Sequence, residues 1–317
     1  MPPFPKPKFP FTYDVPTEVG NLRTHKQKRG IPERDDDHLL VATWNIANFG
    51  VQQRRDSDHA LIAEILSWFD VIAIQECREN FGGLFDVHAK LPASYRVIVS
   101  DSSGNDERMT FLYDSQKLTL LEEVGEIAFP PSQYPDIKLV GVKQPFMGFD
   151  RTPYLAAFEA GDTSFTLVNV HLFYGDEKPA SIERRSLETY AVAKWCDLRK
   201  KSRFSFTREL MAMGDFNMPK SQPGDPIFTA LTALGLEVPD HSTQISSAIA
   251  SDSNYDQIAF LPDTTKDLFT GTKGVFDYDS AIFPALWMNG KNKRDFNAYL
   301  RYYISDHRPM WVQLKVR

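Results

Sequence analysis

The feature that most limits the fold of this chain is a set of short runs, apolar at successive positions, that stop on a polar residue. "LLVATWN" (39–45), "DVIAIQE" (70–76), "SFTLVNVHL" (164–172) and "ELMAMGD" (209–215) are the clearest. "YRVIVS" (95–100), "RMTFLYD" (108–114), "KLTLLEE" (117–123), "PYLAAFEA" (153–160), "YDQIAFL" (255–261) and "RPMWVQLKV" (308–316) read as further strands. Runs this short suit strands rather than helices, and apolar residues at consecutive positions imply that both faces of a strand are covered.

Helical spacing lies between them. Residues 56–69 place Leu61, Ile62, Ile65, Leu66 and Phe69 on one face behind Asp56 or Ser57 as caps. Residues 80–91, 179–201 (with Pro179 at its mouth) and 225–234 read as further helices, and 129–150 as a long Pro- and Gly-bearing loop. Several strands adjoin by hairpins, "GDTS" being one turn, so a strict βαβ alternation is excluded. The expected class is α/β (α+β): two packed, mostly antiparallel or mixed sheets flanked by helices. Residues 1–37, rich in Pro, Lys and Arg, read as an extended arm outside a domain at 38–317.

Bulk properties exclude more than they assign. A net charge of −6 gives no basic footprint of the kind that marks many nucleic-acid-binding proteins, yet leaves room for carboxylates gathered around a cation. Two cysteines, Cys77 and Cys196, make neither a disulfide framework nor a thiolate zinc site. The start "MPPFPKPKFPF" lacks a continuous apolar signal core, and no run approaches the ~20 apolar residues of a membrane span. A cytoplasmic monomer that stays off membranes is therefore expected.

The polar residues at the strand exits carry the chemistry. They are Asn45, Glu76, His171, Asp215 and Asn217, with Asp256 opening one late strand and Asp306 and His307 preceding the last. Any one of them has a bland explanation as a solvated loop residue, an Asx turn or a hydrogen-bonded core histidine. Together they form an oxygen-rich set without thiols, which suits Mg²⁺, Mn²⁺ or Ca²⁺. Two histidines beside such a cation suit general acid–base work, and a phosphate ester needs both.

"WNIANFG", "IQECRE", "DERMTFLYD", "FDRTPYLAAF", "LVNVHL", "MGDFNMP", "NYDQIAF" and "SDHRPM" follow one another in this order. The series resembles the endonuclease/exonuclease/phosphatase superfamily, most closely its deoxyribonuclease I-like branch, over about residues 38–315. The resemblance implies a four-layer α/β sandwich and a divalent-metal-dependent phosphodiester hydrolase, a DNase I-like endonuclease cutting DNA. The alternative is a phosphatase or phosphodiesterase of the same scaffold acting on a lipid or small-molecule ester. It implies Glu76, Asn45 and Asp306 around the metal, and His171 and His307 flanking the scissile phosphate. Glu107 and Asp256 would orient those two histidines. Asp215 would orient water or help hold the metal, Asn217 would donate to a phosphate oxygen, and Arg151 would touch the substrate backbone. Ala47 departs from the acidic residue that abasic-site endonucleases carry two positions after the first Asn.

Two basic segments add a nucleic-acid expectation. "RKKSRFSFTR" (199–208) precedes the "GDFN" strand, and "WMNGKNKRDFNAYLRYY" (287–303) precedes "SDH". The second, with Lys291, Lys293, Arg294 and Arg301 among aromatics, reads as a loop that grips a strand.

Overall fold

A computed structural model describes residues 3–242, 244–288 and 293–316. Its first sheet holds β1 (His38–Phe49), β2 (Val71–Arg78), β3 (Tyr95–Val99), β4 (Glu107–Asp114), β10 (Phe269–Val275) and β11 (Met310–Lys315), in the order β10-β11-β1-β2-β4-β3. Its second holds β5 (Thr119–Glu126), β6 (Tyr154–Ala160), β7 (Thr163–His171), β8 (Leu210–Asp215) and β9 (Asp256–Phe260), in sequence order. The described α-helices are α1 (Val15–Lys28), α2 (Asp56–Leu66), α3 (Gly82–His88), α4 (Pro179–Lys201), α5 (Pro226–Thr232), α6 (Pro262–Thr265), α7 (Pro284–Met288) and α8 (Lys293–Tyr303).

The covered strand faces follow from the layering. Val41, Ala73, Phe111 and Val312 of the first sheet pack against Ala156, Phe158, Leu167, Met211 and Ile258 of the second, forming the middle of the sandwich. Trp44, Ile46, Ile72 and Ile74 turn the other way, onto Leu61, Ile62 and Ile65 of α2 and Phe296 and Leu300 of α8. Val168, Val170 and Ala212 meet Val192, Trp195, Ile227 and Leu231 of α4 and α5. The result is the four-layer α/β sandwich expected from the sequence. No helix among the described residues is long and apolar enough to cross a membrane. Cys77 and Cys196 are buried and free.

Register gathers the exits. β1 runs parallel to β2 and β7 parallel to β8, so these four strands bring their C-terminal ends to one rim of their sheets. β4, β9 and β11 run antiparallel to their neighbours, which brings their N-terminal ends to the same rims. His171 pairs with Asp215, Asp215 with Asp256, and Arg78 with Glu107.

Two expectations are corrected, and the first basic segment is located. Residues 15–28 are helical rather than extended, because the prolines cluster before residue 11 while Asp14 caps the helix by accepting from Thr17 N at 2.9 Å. Leu22 of α1 is fully buried in the core beneath α2 and α8. The described part of the second basic segment, 287–288 and 293–303, is helical rather than a loop: it belongs to α7 and α8, with Phe296, Tyr299, Leu300 and Tyr303 facing inward at helical spacing. The segment 199–208 ends α4 and leads into the start of β8, the end of that strand remote from Asp215, so it does not border the strand exits.

Candidate active site

β1 and β2 end irregularly. Their pairing shifts after Asn45 and Ile74, and Asn48 and Glu76 take left-handed backbone angles of φ 47° and 61°. That region is uncommon for a residue such as Glu and is held here by bonds. Glu76 Oε2 accepts from Asn48 N at 2.7 Å, and Oε1 accepts from Asn45 Nδ2 at 3.1 Å. The same Asn45 amide donates to Asp215 Oδ2 at 3.0 Å, joining the two sheets at the rim. Below this contact Gln75 donates to Asn169 Oδ1 at 2.6 Å, and Asn169 donates to the Ile74 and Thr110 carbonyls, so a buried amide bridge sets the spacing of the sheets.

At the exit of β8, Gly214 has φ 131°, and a Cβ there would overlap the Val170 carbonyl of β7. Only glycine lets the two strands approach this closely at the rung before Asp215. Asp215 Oδ1 accepts from Asn217 N at 2.8 Å, and Asn217 Nδ2 donates to the Leu172 carbonyl at 2.7 Å, so the turn locks both side chains at the rim.

The two imidazoles converge on Asp215. His171 Nε2 lies 3.8 Å and His307 Nε2 3.9 Å from Asp215 Oδ2. Behind them, His171 Nδ1 stands 2.8 Å from Glu107 Oε2, and His307 Nδ1 is bonded to Asp256 Oδ2 at 2.7 Å. The Asp256 bond fixes the His307 tautomer that leaves Nε2 facing the cleft, and the Glu107 charge against His171 Nδ1 favours the same arrangement there. Burial opposes ionisation of Glu107, but His171 and then Arg151 outweigh it and hold the carboxyl at about 2. Burial likewise opposes charge on His307, but Asp256, Asp215 and Asp306 prevail and raise its pKa well above the ordinary imidazole range. Ser305, which the sequence reading did not single out, holds this segment against β1. Its Oγ donates to the Asn45 carbonyl at 2.7 Å and accepts from the amides of Ala47 and His307.

His171, Asp215 and His307 line one cleft of about 610 Å³ with Glu76, Asp150, Arg151, Phe173, Tyr174, Asn217, Tyr255, Arg301 and Asp306. Phe4 lines it too, and the only hint of that in the sequence is an aromatic residue recurring through the Pro-rich arm. The basic residues divide. Arg301 borders the cleft, whereas Lys293 lines a separate hollow of about 540 Å³ with Arg29, Ser246 and Arg308. Arg294 is exposed on α8, and Lys291 lies outside the described residues. Arg151 is 3% exposed and lines the cleft. Its Nε and Nη2 donate to the His171 and Leu172 carbonyls at 2.7 and 2.6 Å, and Nη1 to Asp150, so it buttresses the exit of β7.

The donor set fits a hard cation. Asn45 Oδ1 is buried without a hydrogen-bond partner beside Glu76. Burial first, then the Glu76 charge, pushes the Asp306 carboxyl up, a like-charge crowding that a cation would relieve. Asp215, Asp256 and His307 also offer ligand atoms within 4.8 Å of one another, although the His307–Asp256 bond already engages two of them.

Two packed sheets whose joined rims carry an acidic, imidazole-flanked cleft define a class of α/β sandwich proteins. The chain has the fold of the endonuclease/exonuclease/phosphatase family. It superposes on TDP2 from D. rerio complexed with single-strand DNA product (14% identity, 88% of this chain and 99% of that one, TM-score 0.57). It superposes equally on an endonuclease/exonuclease/phosphatase from Bacteroides vulgatus (17%, 88% and 99%, TM-score 0.56). A mannosyl-6-phosphatase from Bacteroides thetaiotaomicron also matches (17%, 87% and 99%, TM-score 0.51). No family model and no curated protein matches the sequence.

Proposed function

We propose that the chain is a divalent-metal-dependent phosphodiester hydrolase, acting as a monomer on nucleic acid and on DNA first. One observation carries this reading: two imidazole Nε2 atoms, each backed by a carboxylate, stand 3.8 and 3.9 Å from the same Asp215 oxygen. A phosphate seated beside Asp215 would meet two proton-transfer groups, one to serve the attacking water and one the leaving oxygen of an in-line displacement. One imidazole takes the proton of the attacking water and the other protonates the leaving oxygen. Asp215 orients the water, and the second amide proton of Asn217 faces a phosphate oxygen. Glu76, Asn45 and Asp306 would hold the cation, Mg²⁺ with Mn²⁺ or Ca²⁺ as substitutes, which would supply Lewis-acid stabilisation of charge on the phosphoryl oxygens.

A second reading, hydrolysis of a small phosphate ester, is favoured by the mannosyl-6-phosphatase among the structural matches. Incubation with circular DNA, linear DNA, RNA and sugar phosphates, in Mg²⁺, Mn²⁺ or EDTA, separates the two. Metal-dependent nicking of the circle supports the first reading, and phosphate release from the sugars alone supports the second. Inertness toward every ester in both metals refutes both.

A further inference from the structure

The arm at the start of the chain is tied to the cleft. Arg55 Nη1 donates to the Phe11 carbonyl at 2.9 Å, Tyr13 donates to Asp58 at 2.7 Å, and Phe11 meets Tyr299 and Phe283 edge-on at 5.2 and 5.5 Å. At the tip, Phe4 N donates to Gln52 Oε1 at 3.1 Å. The Gln52 amide in turn donates to the carbonyls of Ala47, Arg301 and Tyr302, so one buried side chain joins the arm, the β1 exit and the end of α8.

This places the Phe4 ring against the side chain of Arg301, whose guanidinium carbon lies 4.3 Å from the ring centroid. Two arginines line the cleft, and their bonding differs. The Arg151 guanidinium bonds backbone carbonyls and Asp150, and that of half-buried Arg54 bonds the carbonyls of Ala47, Tyr303 and Ile304. Arg301 makes no side-chain hydrogen bond or ion pair among the described residues, and its Nε is buried without a partner. A guanidinium held against a ring face without hydrogen bonds of its own keeps its Nη donors for an incoming anion.

We propose that Phe4 is a positioning residue of the active site, its ring holding the Arg301 guanidinium over the cleft so that Arg301 binds the oxygens of the substrate phosphate. The proposal rests on the phosphoester reading for its substrate, but phosphate binding tests it separately. A ring face against the guanidinium takes up none of its N–H donors, and a phosphate accepts from them in a charge-assisted pair.

The experiment titrates inorganic phosphate calorimetrically into the Mg²⁺-loaded full chain, alongside steady-state hydrolysis of whichever ester is turned over. Arg301→Ala is expected to weaken phosphate binding about 10-fold or more, the scale of a lost charge-assisted bond. Phe4→Leu, which keeps apolar volume but lacks a π face, is expected to weaken it ~2–5-fold, with the loss in KM rather than kcat, and Phe4→Tyr is expected to restore it. In an Arg301→Ala background Phe4→Leu has no further effect, whereas a purely structural role would cost the same in both backgrounds. Wild-type-like phosphate binding in Arg301→Ala or Phe4→Leu overturns the proposal even if esters are hydrolysed. Phosphate binding that depends on both residues, without turnover of any ester, sustains it while refuting the hydrolase reading. No phosphate binding by the wild type overturns it outright.

Discussion

Replacing Glu107 with glutamine tests the reasoning about the site at one atom pair. Glu107 is 1% exposed, 2.8 Å from His171 Nδ1, 3.7 Å from Arg151 Nε and 3.4 Å from Arg78 Nη1. Glutamine keeps the shape and removes the charge. The carboxyl sits at about 2 against an ordinary 4.5, a difference that corresponds to roughly 3 kcal/mol. Breaking one side of a buried ion pair costs ~3–5 kcal/mol, the same scale. Because the folded-state pKa is depressed, this stabilisation is fully present above pH 4.5 and is lost as pH falls toward about 2. Urea denaturation of wild type and Glu107→Gln across that range should give a gap of roughly 3 kcal/mol at pH 7 that closes on acidification. Comparing two variants cancels the other carboxylates. Hydrolysis by the variant should fall ~10²–10⁴-fold at pH 7, because the imidazole loses the negative charge that stabilises its protonated form. A variant equal to wild type in both stability and rate would show that Glu107 neither anchors nor tunes His171.

Four further outcomes follow from other parts of the structure. Asp256→Asn and His307→Asn should each lower turnover ~10²–10⁴-fold with little change in far-UV circular dichroism; near-normal turnover would remove that pair from the mechanism. Glu76→Gln should weaken Mn²⁺ binding, followed by electron paramagnetic resonance, at least about tenfold, and unchanged affinity would relocate the metal. Gly214→Ala should destabilise by roughly 3 kcal/mol or fail to fold, since strain at φ 131° adds to the overlap with Val170; a melting temperature equal to wild type would contradict the close approach of β7 and β8. Burial pushes His241 down to about 3, and its Nε2 accepts from Ile258 N, so stability is lost as pH falls from 6.5 toward 3, by up to roughly 5 kcal/mol. His241→Gln should be less stable at neutral pH but flatter over that window, and an unchanged slope would refute the assignment.

Much of the architecture was legible because it is local. An apolar run followed by Asn, Glu, His or Asp marks a strand and its exit, and 179–201 was readable as a helix to the residue because Pro179 opens it. Helix α8 was misread because the alternation of Lys and Arg with aromatics from 293 to 301 resembles a gripping loop until its aromatic face is seen to pack inward. The strand β10, "FTGTKGV", carries two glycines and one buried residue, too little pattern to announce itself.

The amino-acid sequence alone determined which side chains stand at the ends of strands, because period, apolar runs and turn residues act over a few neighbours. Only the tertiary structure decided that Asn45, Glu76, Glu107, His171, Asp215, Asp256 and His307 share one rim. That depends on strand order and direction, set by packing between segments as distant as Asn45 and Asp215. The same holds for Phe4 and Arg301, at opposite ends of the chain, which meet because Gln52 and the arm's aromatic rings fold one onto the other.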